Sequence, residues 1–141
     1  MYILYKQDDR RQHSSKPHNV RHYQLLGWPN NEVFPPDKGI LLSLIEEVHR
    51  CQQEQKHTED TKKIDHMVIQ CLNGGTRSGL FCGVSHIVYN IKMDQEVDAL
   101  LSARSVSRRR QQFFQTLDEY KFLYEVALEF ISSFHTYANM S

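Results

Sequence analysis

The sequence predicts a mixed α/β (α+β) domain. Three observations carry that prediction. Short apolar runs of strand length stand near the N-terminus and near the middle of the chain. Longer segments repeat apolar residues at helical spacing, and they alternate with or follow the strand-like runs in the order strand, strand, helix, strand, helix, helix, helix. The 141 residues suit one domain, and the 40% hydrophobic share is enough for a core.

The elements follow in order. Tyr2-Ile3-Leu4-Tyr5 reads as a short strand. Residues 6–18 are polar and end at Pro17, which marks a solvated connector. Residues 19–26 read as a second strand able to pair with the first as a hairpin with a long loop. Gly27-Trp28-Pro29-Asn30-Asn31-Glu32 breaks regular structure. Pro35-Pro36-Asp37 opens a helix with Asp37 as cap, and Leu41, Leu44, Ile45, Val48 and Cys51 make its apolar face. The charged stretch after Cys51 predicts a flexible loop over 52–65. His66 to Cys71 reads as a central, buried strand. A glycine-bearing turn leads to a helix from about Arg77, with Leu80, Phe81, Val84, Ile87, Val88 and Ile91 on one side. A shorter helix is expected over 95–104, carrying Val97, Leu100 and Leu101. Arg108-Arg109-Arg110 reads as a solvated turn. Thr116-Leu117-Asp118-Glu119 has the capping-box pattern, opening a helix whose stripe is Tyr120, Leu123, Tyr124, Ala127, Phe130, Ile131 and Phe134.

Composition excludes several classes. Lys plus Arg is 17 and Asp plus Glu is 17, so the formal charge is zero and no bulk attraction to nucleic acid exists. No apolar run is long enough to span a bilayer, and the first residues do not form a secretory leader. Cys51, Cys71 and Cys82 are odd in number and form no CxxC pair, so free thiols in a reducing compartment are expected and no metal. The eight histidines form neither HxH nor HExxH. No cofactor is expected.

Val68 to Gly79 is the segment with chemistry in it. It places Cys71 at a strand end, then Leu72, Asn73, Gly74, Gly75 and Thr76, then Arg77 and Ser78 at a helix start. A helix N-terminus offers unpaired amides and a positive field to an anion. Paired glycines let successive amides turn inward. Arg77 can add a two-pronged contact to a phosphate. The same field lowers a thiol pKa and so populates a nucleophilic thiolate at Cys71. On the residues alone, a phosphate cradle and a merely structural strand-turn-helix stand level.

The wider pattern resembles the catalytic domain of the protein tyrosine phosphatases. Gln70-Cys71 through Arg77-Ser78-Gly79 is similar to that family's Cys-x5-Arg loop. Val20 to Pro29 is similar to the strand entering its mobile Trp-Pro-Asp loop, and Phe114 to Phe122 to its glutamine loop and final helix. The wording Cys71 to Gly75 with Arg77 to Cys82 is most similar to the second, membrane-distal domain of receptors with MAM ectodomains. The resemblance implies Cys71 as nucleophile, Arg77 and the loop 72–76 as phosphate binder, and Ser78 as the hydroxyl that steadies the thiolate. It also implies Gln115 as the water-positioning residue, and Trp28 and Pro29 as the loop hinge. The implied partner is a phosphotyrosine protein or peptide, with an adjacent catalytic phosphatase domain as a second partner. The implied location is cytoplasmic, as the intracellular part of a single-pass receptor. The N-terminal half of the family's domain, with the tyrosine that clamps the substrate ring, has no counterpart, so a partial domain is expected.

Four departures shape the functional expectation. Asn30 stands at the general-acid position, and Glu32, two residues on, is a candidate substitute acid that its displacement disfavours. Gln70 replaces a histidine, which removes one support of a lowered thiol pKa. Thr76 replaces a glycine, a strained choice if the loop needs positive φ. Glu119 replaces the second glutamine and would repel substrate if it faced the pocket. A regulatory pseudophosphatase is therefore the expected reading, with an active phosphatase working through a phosphocysteine as the alternative.

Overall fold

The computed structural model describes residues 2–6, 20–56 and 66–138. Three strands form one sheet: β1 (Tyr2–Lys6), β2 (Val20–Gln24) and β3 (His66–Gln70). Four helices accompany them: α1 (Lys38–Lys56), α2 (Thr76–Asp94), α3 (Ala99–Ser107) and α4 (Leu117–Ala138). The predicted element order is observed. The connector between β1 and β2 lies outside the described residues.

β1 pairs antiparallel with both neighbours, giving the order β2-β1-β3. β3 is therefore not central: among the described residues it pairs with β1 alone. Its side chains alternate accordingly, with Met67 and Ile69 packed on the core and Val68 exposed. Tyr2 lies opposite Gln24 on one side and Gln70 on the other, so β2 and β3 leave the sheet level with each other. That register brings the segment after β2 beside the segment after β3.

Helix α2 contacts α1, α3 and α4. Leu80, Phe81, Val84, Ile87 and Val88 are buried on it, as their spacing predicts. Burying one such side chain stabilises by about 1.5–3 kcal/mol. Leu41, Ile45, Val48 and Cys51 of α1 complete the core from one side, and Leu42 joins them. α1 is also held to β2, where Arg21 Nη1 donates to Cys51 Sγ at 2.8 Å and the Tyr23 hydroxyl lies 2.9 Å from the same sulfur.

Two boundaries and two faces differ from expectation. Helix α1 runs through 52–56, where a loop was predicted. Gln, Glu and Lys are good helix formers, and Arg50 pairs with Glu54 one turn on. Residues 57–65 of the predicted loop lie outside the described residues. The short helix begins at Ala99, not 95, because Gln95 ends α2 at φ 55 and the Asp98 side chain accepts from Leu101 N at 2.7 Å. Its inner face is Ala99, Ser102 and Ala103, while Val97, Leu100 and Leu101 are exposed. These small residues let α3 approach α2, and Ser102 Oγ lies 3.1 Å from His86 Nδ1. On α4 the stripe is rotated: Phe122 and Val126 are buried with Leu123, Ala127 and Phe130, and Tyr124 is exposed. The Phe134 side chain lies outside what is described.

Gly79 shows why a glycine follows Arg77-Ser78. A Cβ there would stand 2.9 Å from Phe113 Cγ and 3.2 Å from Phe113 Cβ, atoms close to the backbone of a buried residue. Gly79→Ala would gain about 1 kcal/mol of helix propensity. Overpacking of this kind costs about 1–3 kcal/mol, and the clash with the root of a side chain puts it at the upper end. We expect Gly79→Ala to lower the urea midpoint at unchanged m-value; a raised midpoint would show that Phe113 yields freely.

Candidate functional site

The site lies where β3 gives way to α2. Gly74 adopts φ 62, the left-handed region that turns the chain from strand to helix. Thr76 is the first residue of α2. Among the described residues, only Gln95 and Phe114 combine a side chain with positive φ, so the strain expected at Thr76 is not present.

Cys71 sits inside this turn, half-buried. Burial, the largest single influence, pushes its thiol pKa up. The Ser78 hydroxyl and the amides of Ser78, Gly74 and Asn73 push it down, and together they outweigh burial. The net direction is below the ordinary thiol value even with Gln70 in place of a histidine. The Ser78 hydroxyl is itself buried and has no hydrogen-bond partner of regular geometry among the described residues. It acts on the sulfur through proximity. Cys82, one turn further along α2, goes the other way: burial and the nearby Cys71 raise it to about 11.

The loop is partly closed on itself. Asn73 Oδ1 accepts from Gly75 N at 3.0 Å and from the Cys71 thiol at 3.5 Å. One amide of the expected cradle is thus already satisfied by a side chain of the loop. Arg77 is also committed. Its guanidinium donates to the carbonyls of Trp28 at 3.4 Å, Pro29, and Glu32 at 3.4 Å. It lies 4.9 Å from the centre of the Trp28 ring. The two-pronged contact expected of Arg77 toward a phosphate is therefore turned onto the 28–32 turn. Trp28 is buried, and its Nε1 donates to Glu32 O at 3.2 Å, so the turn and the helix start form one bonded unit.

Two hollows border this unit. One of about 500 Å³ is lined by Cys71, Arg77, Trp28, Asn30, Gln70 and Leu72, with residues 24–27. A second of about 160 Å³ lies between Leu72, Asn73, Thr76 and Arg77 on one side and Asn30 to Val33 on the other. Asn30 borders both. Glu32 borders only the smaller one, away from Cys71.

Gln115 is not brought to either hollow. Its amide N donates to Glu119 Oε2 at 2.8 Å and its side chain to Gln111 O at 3.5 Å. Glu119 does not face the pocket. It is buried, its carboxylate accepts from Thr116 N at 3.0 Å, and its backbone N–H donates the reciprocal bond of the capping box to Thr116 Oγ1 at 3.2 Å. Arg108, Arg109 and Arg110 are all exposed, as expected, and the Arg110 guanidinium also lies 3.0 Å from where a Gly74 Cβ would stand. It is held there by Gln112 Oε1 at 3.2 Å and by the Phe113 ring. Sequence spacing carries no sign of that contact.

The sequence profile of the family described as protein-tyrosine phosphatase matches residues 2–129. The chain belongs to the protein-tyrosine phosphatase family. Among curated relatives, receptor-type tyrosine-protein phosphatase U of Gallus gallus is 33% identical over 117 residues, 83% of this chain and 8% of that protein. Receptor-type tyrosine-protein phosphatase alpha of Homo sapiens is 30% identical over 125 residues, 89% of this chain and 15% of that one. Receptor-type tyrosine-protein phosphatase epsilon of Rattus norvegicus is 30% identical over 137 residues, 97% of this chain and 18% of that one. The chain thus spans under a fifth of the length of each. No helix among the described residues is long and apolar enough to cross a membrane.

The opposite shifts of the two helix-start cysteines give a direct check. Raising the pH should expose the Cys71 thiolate to brief iodoacetamide pulses well before Cys82, which ionises only near 11. Peptide mass spectrometry across the neutral to alkaline range reads the order. Simultaneous labelling of both would contradict the field assigned to the turn.

Proposed function

We propose that this chain is a phosphate-binding phosphatase domain with impaired turnover, a regulatory pseudophosphatase that recognises phosphotyrosine proteins or peptides. One observation carries it: the residue that shares the 500 Å³ hollow with Cys71 at the general-acid position is Asn30. A carboxamide has N–H donors but no proton acidic enough to transfer to a departing phenolate. Losing a positioned acid costs about 10²–10⁴ in rate. Glu32 borders the other hollow, which weighs against its acting as a substitute acid. The engagement of Arg77 and of the Gly75 amide points the same way, since both would have to be released before an oxyanion is fully held.

In this reading Cys71 and Ser78 form the floor of the site, and the loop 72–76 with Arg77 binds the phosphoryl oxygens. Trp28 and Pro29 hinge the turn that Arg77 holds. Gln115 would have to move to position a water. The likeness to receptor-type relatives supports placement beside an active phosphatase domain of a receptor, on its cytoplasmic side. The alternative, an active enzyme passing through a phosphocysteine, is favoured by the lowered thiol pKa of Cys71.

Hydrolysis of a phosphotyrosine peptide separates the two. The native chain should turn over slowly, Asn30→Asp should be faster by about tenfold or more, and Cys71→Ser should be inert. Robust native turnover that Asn30→Asp does not raise, and that Cys71→Ser abolishes, establishes the active enzyme instead. Binding gives an independent check. Asn73→Ala frees the Gly75 amide and should tighten orthovanadate several-fold by competition titration; weaker binding would mean that Asn73 props the loop open.

A further inference from the structure

We infer that the outward face of α3, with the arginines that follow it, docks on an anionic lipid surface. Leu100 and Leu101 enter the headgroup layer, and Arg104, Arg108 and Arg109 pair with lipid phosphates. The inference is independent of the phosphate cradle and of turnover at Cys71. Leu100 and Leu101 are 50% and 53% exposed, and Val97, just before the helix, is 44% exposed. A single wet leucine is ordinary on a protein surface, but three large apolar residues within 97–101 make a patch. Packing against α2 explains why the inner residues Ala99, Ser102 and Ala103 are small. It gives no reason for leucine at two adjacent outward positions, where any polar helix former would serve.

The charge continues the pattern. Arg104 stands one turn after Leu100 and Leu101, and Arg108 one turn after Arg104, so these side chains share a face. Arg109 and Arg110 follow, and all four arginines are exposed. No Asp or Glu occurs from 99 to 117, in a chain whose formal charge is zero. Among the described residues, no carboxylate forms an ion pair with any of these arginines. One cation suits a helix C-terminus, but like charges one turn apart repel. The acidic residues nearest in sequence, Glu96 and Asp98, lie at the opposite end of the helix. The Asp98 carboxylate is occupied there as the cap, accepting from Leu101 N at 2.7 Å.

Apolar residues beside unpaired basic ones, on the exposed side of a helix, are the composition of a segment that lies in a membrane interface. Clustered arginines are drawn to anionic headgroups, and the attraction fades within a Debye length. The face belongs to a convex helix. A soft lipid interface conforms to such a shape, whereas a protein partner would need a groove cut to match it.

The test is vesicle flotation with the full 141-residue chain. The chain should float with phosphatidylcholine vesicles containing about 30% phosphatidylserine and stay behind with phosphatidylcholine alone, and salt at about 0.5 M should release it. In the triple variant Arg104→Gln, Arg108→Gln, Arg109→Gln, the partition coefficient should fall by about tenfold or more. Leu100→Ser with Leu101→Ser should lower it by a similar factor. Every altered side chain is exposed, so thermal melts of both variants should match the native one. Absence of binding to the anionic vesicles, equal binding to the neutral ones, or binding that either variant leaves unchanged overturns the proposal. Capture of the native chain by poly-L-glutamate without vesicle binding assigns the patch to acidic proteins, and overturns it as well.

Discussion

The Arg77 side chain is the connection on which the rest of the site depends. It leaves the first turn of α2 and ends against three carbonyls of the 28–32 turn and the face of Trp28. Hydrogen bonds from an ionised donor are about twice as strong as neutral ones. One residue thus joins the exit of β2 to the start of α2, two segments that the sheet register sets side by side but does not bond. The same guanidinium is the group an oxyanion would need. Holding the turn and holding a ligand draw on one set of donors, so the two are thermodynamically linked.

Helix α2 makes that linkage stiff. Its buried face is packed by three other helices, and Gly79 admits Phe113 so closely that no side chain fits. The α4 end contributes rigidity as well, because Glu119 spends its carboxylate on the amides of Gln115 and Thr116. A change that looks like damage to a catalytic loop is, in this chain, a helix cap.

What the sequence made legible was local. The faces of α1 and α2 follow from spacing, the capping box from four consecutive residues, and the strand-loop-helix at Cys71 from its glycines. What it hid depends on partners distant in the chain. β3 reads as central from its apolar run, yet its place at the side of the sheet is decided by what pairs with β1. On α3, bulk suggests that Leu100 and Leu101 face inward, whereas close approach to α2 selects Ala99, Ser102 and Ala103. Arg110 is exposed, as its sequence reads, yet nothing nearby in sequence announces that its guanidinium reaches Gly74. The direction taken by Arg77 belongs to the same class, since its acceptors are main-chain oxygens and carry no residue code.

Asn73 gives the loop a built-in competitor. A carboxamide oxygen fixed two residues from the amide it occupies acts as an intramolecular ligand, and such tethered groups present themselves at high effective concentration. On the proposed reading, free phosphate would have to displace it with contacts from the loop and Arg77 alone. A ligand that also gains surface elsewhere in the hollow has further help. On the proposed phosphate-binding reading, the loop would therefore favour ligands that bring additional anchorage over small anions.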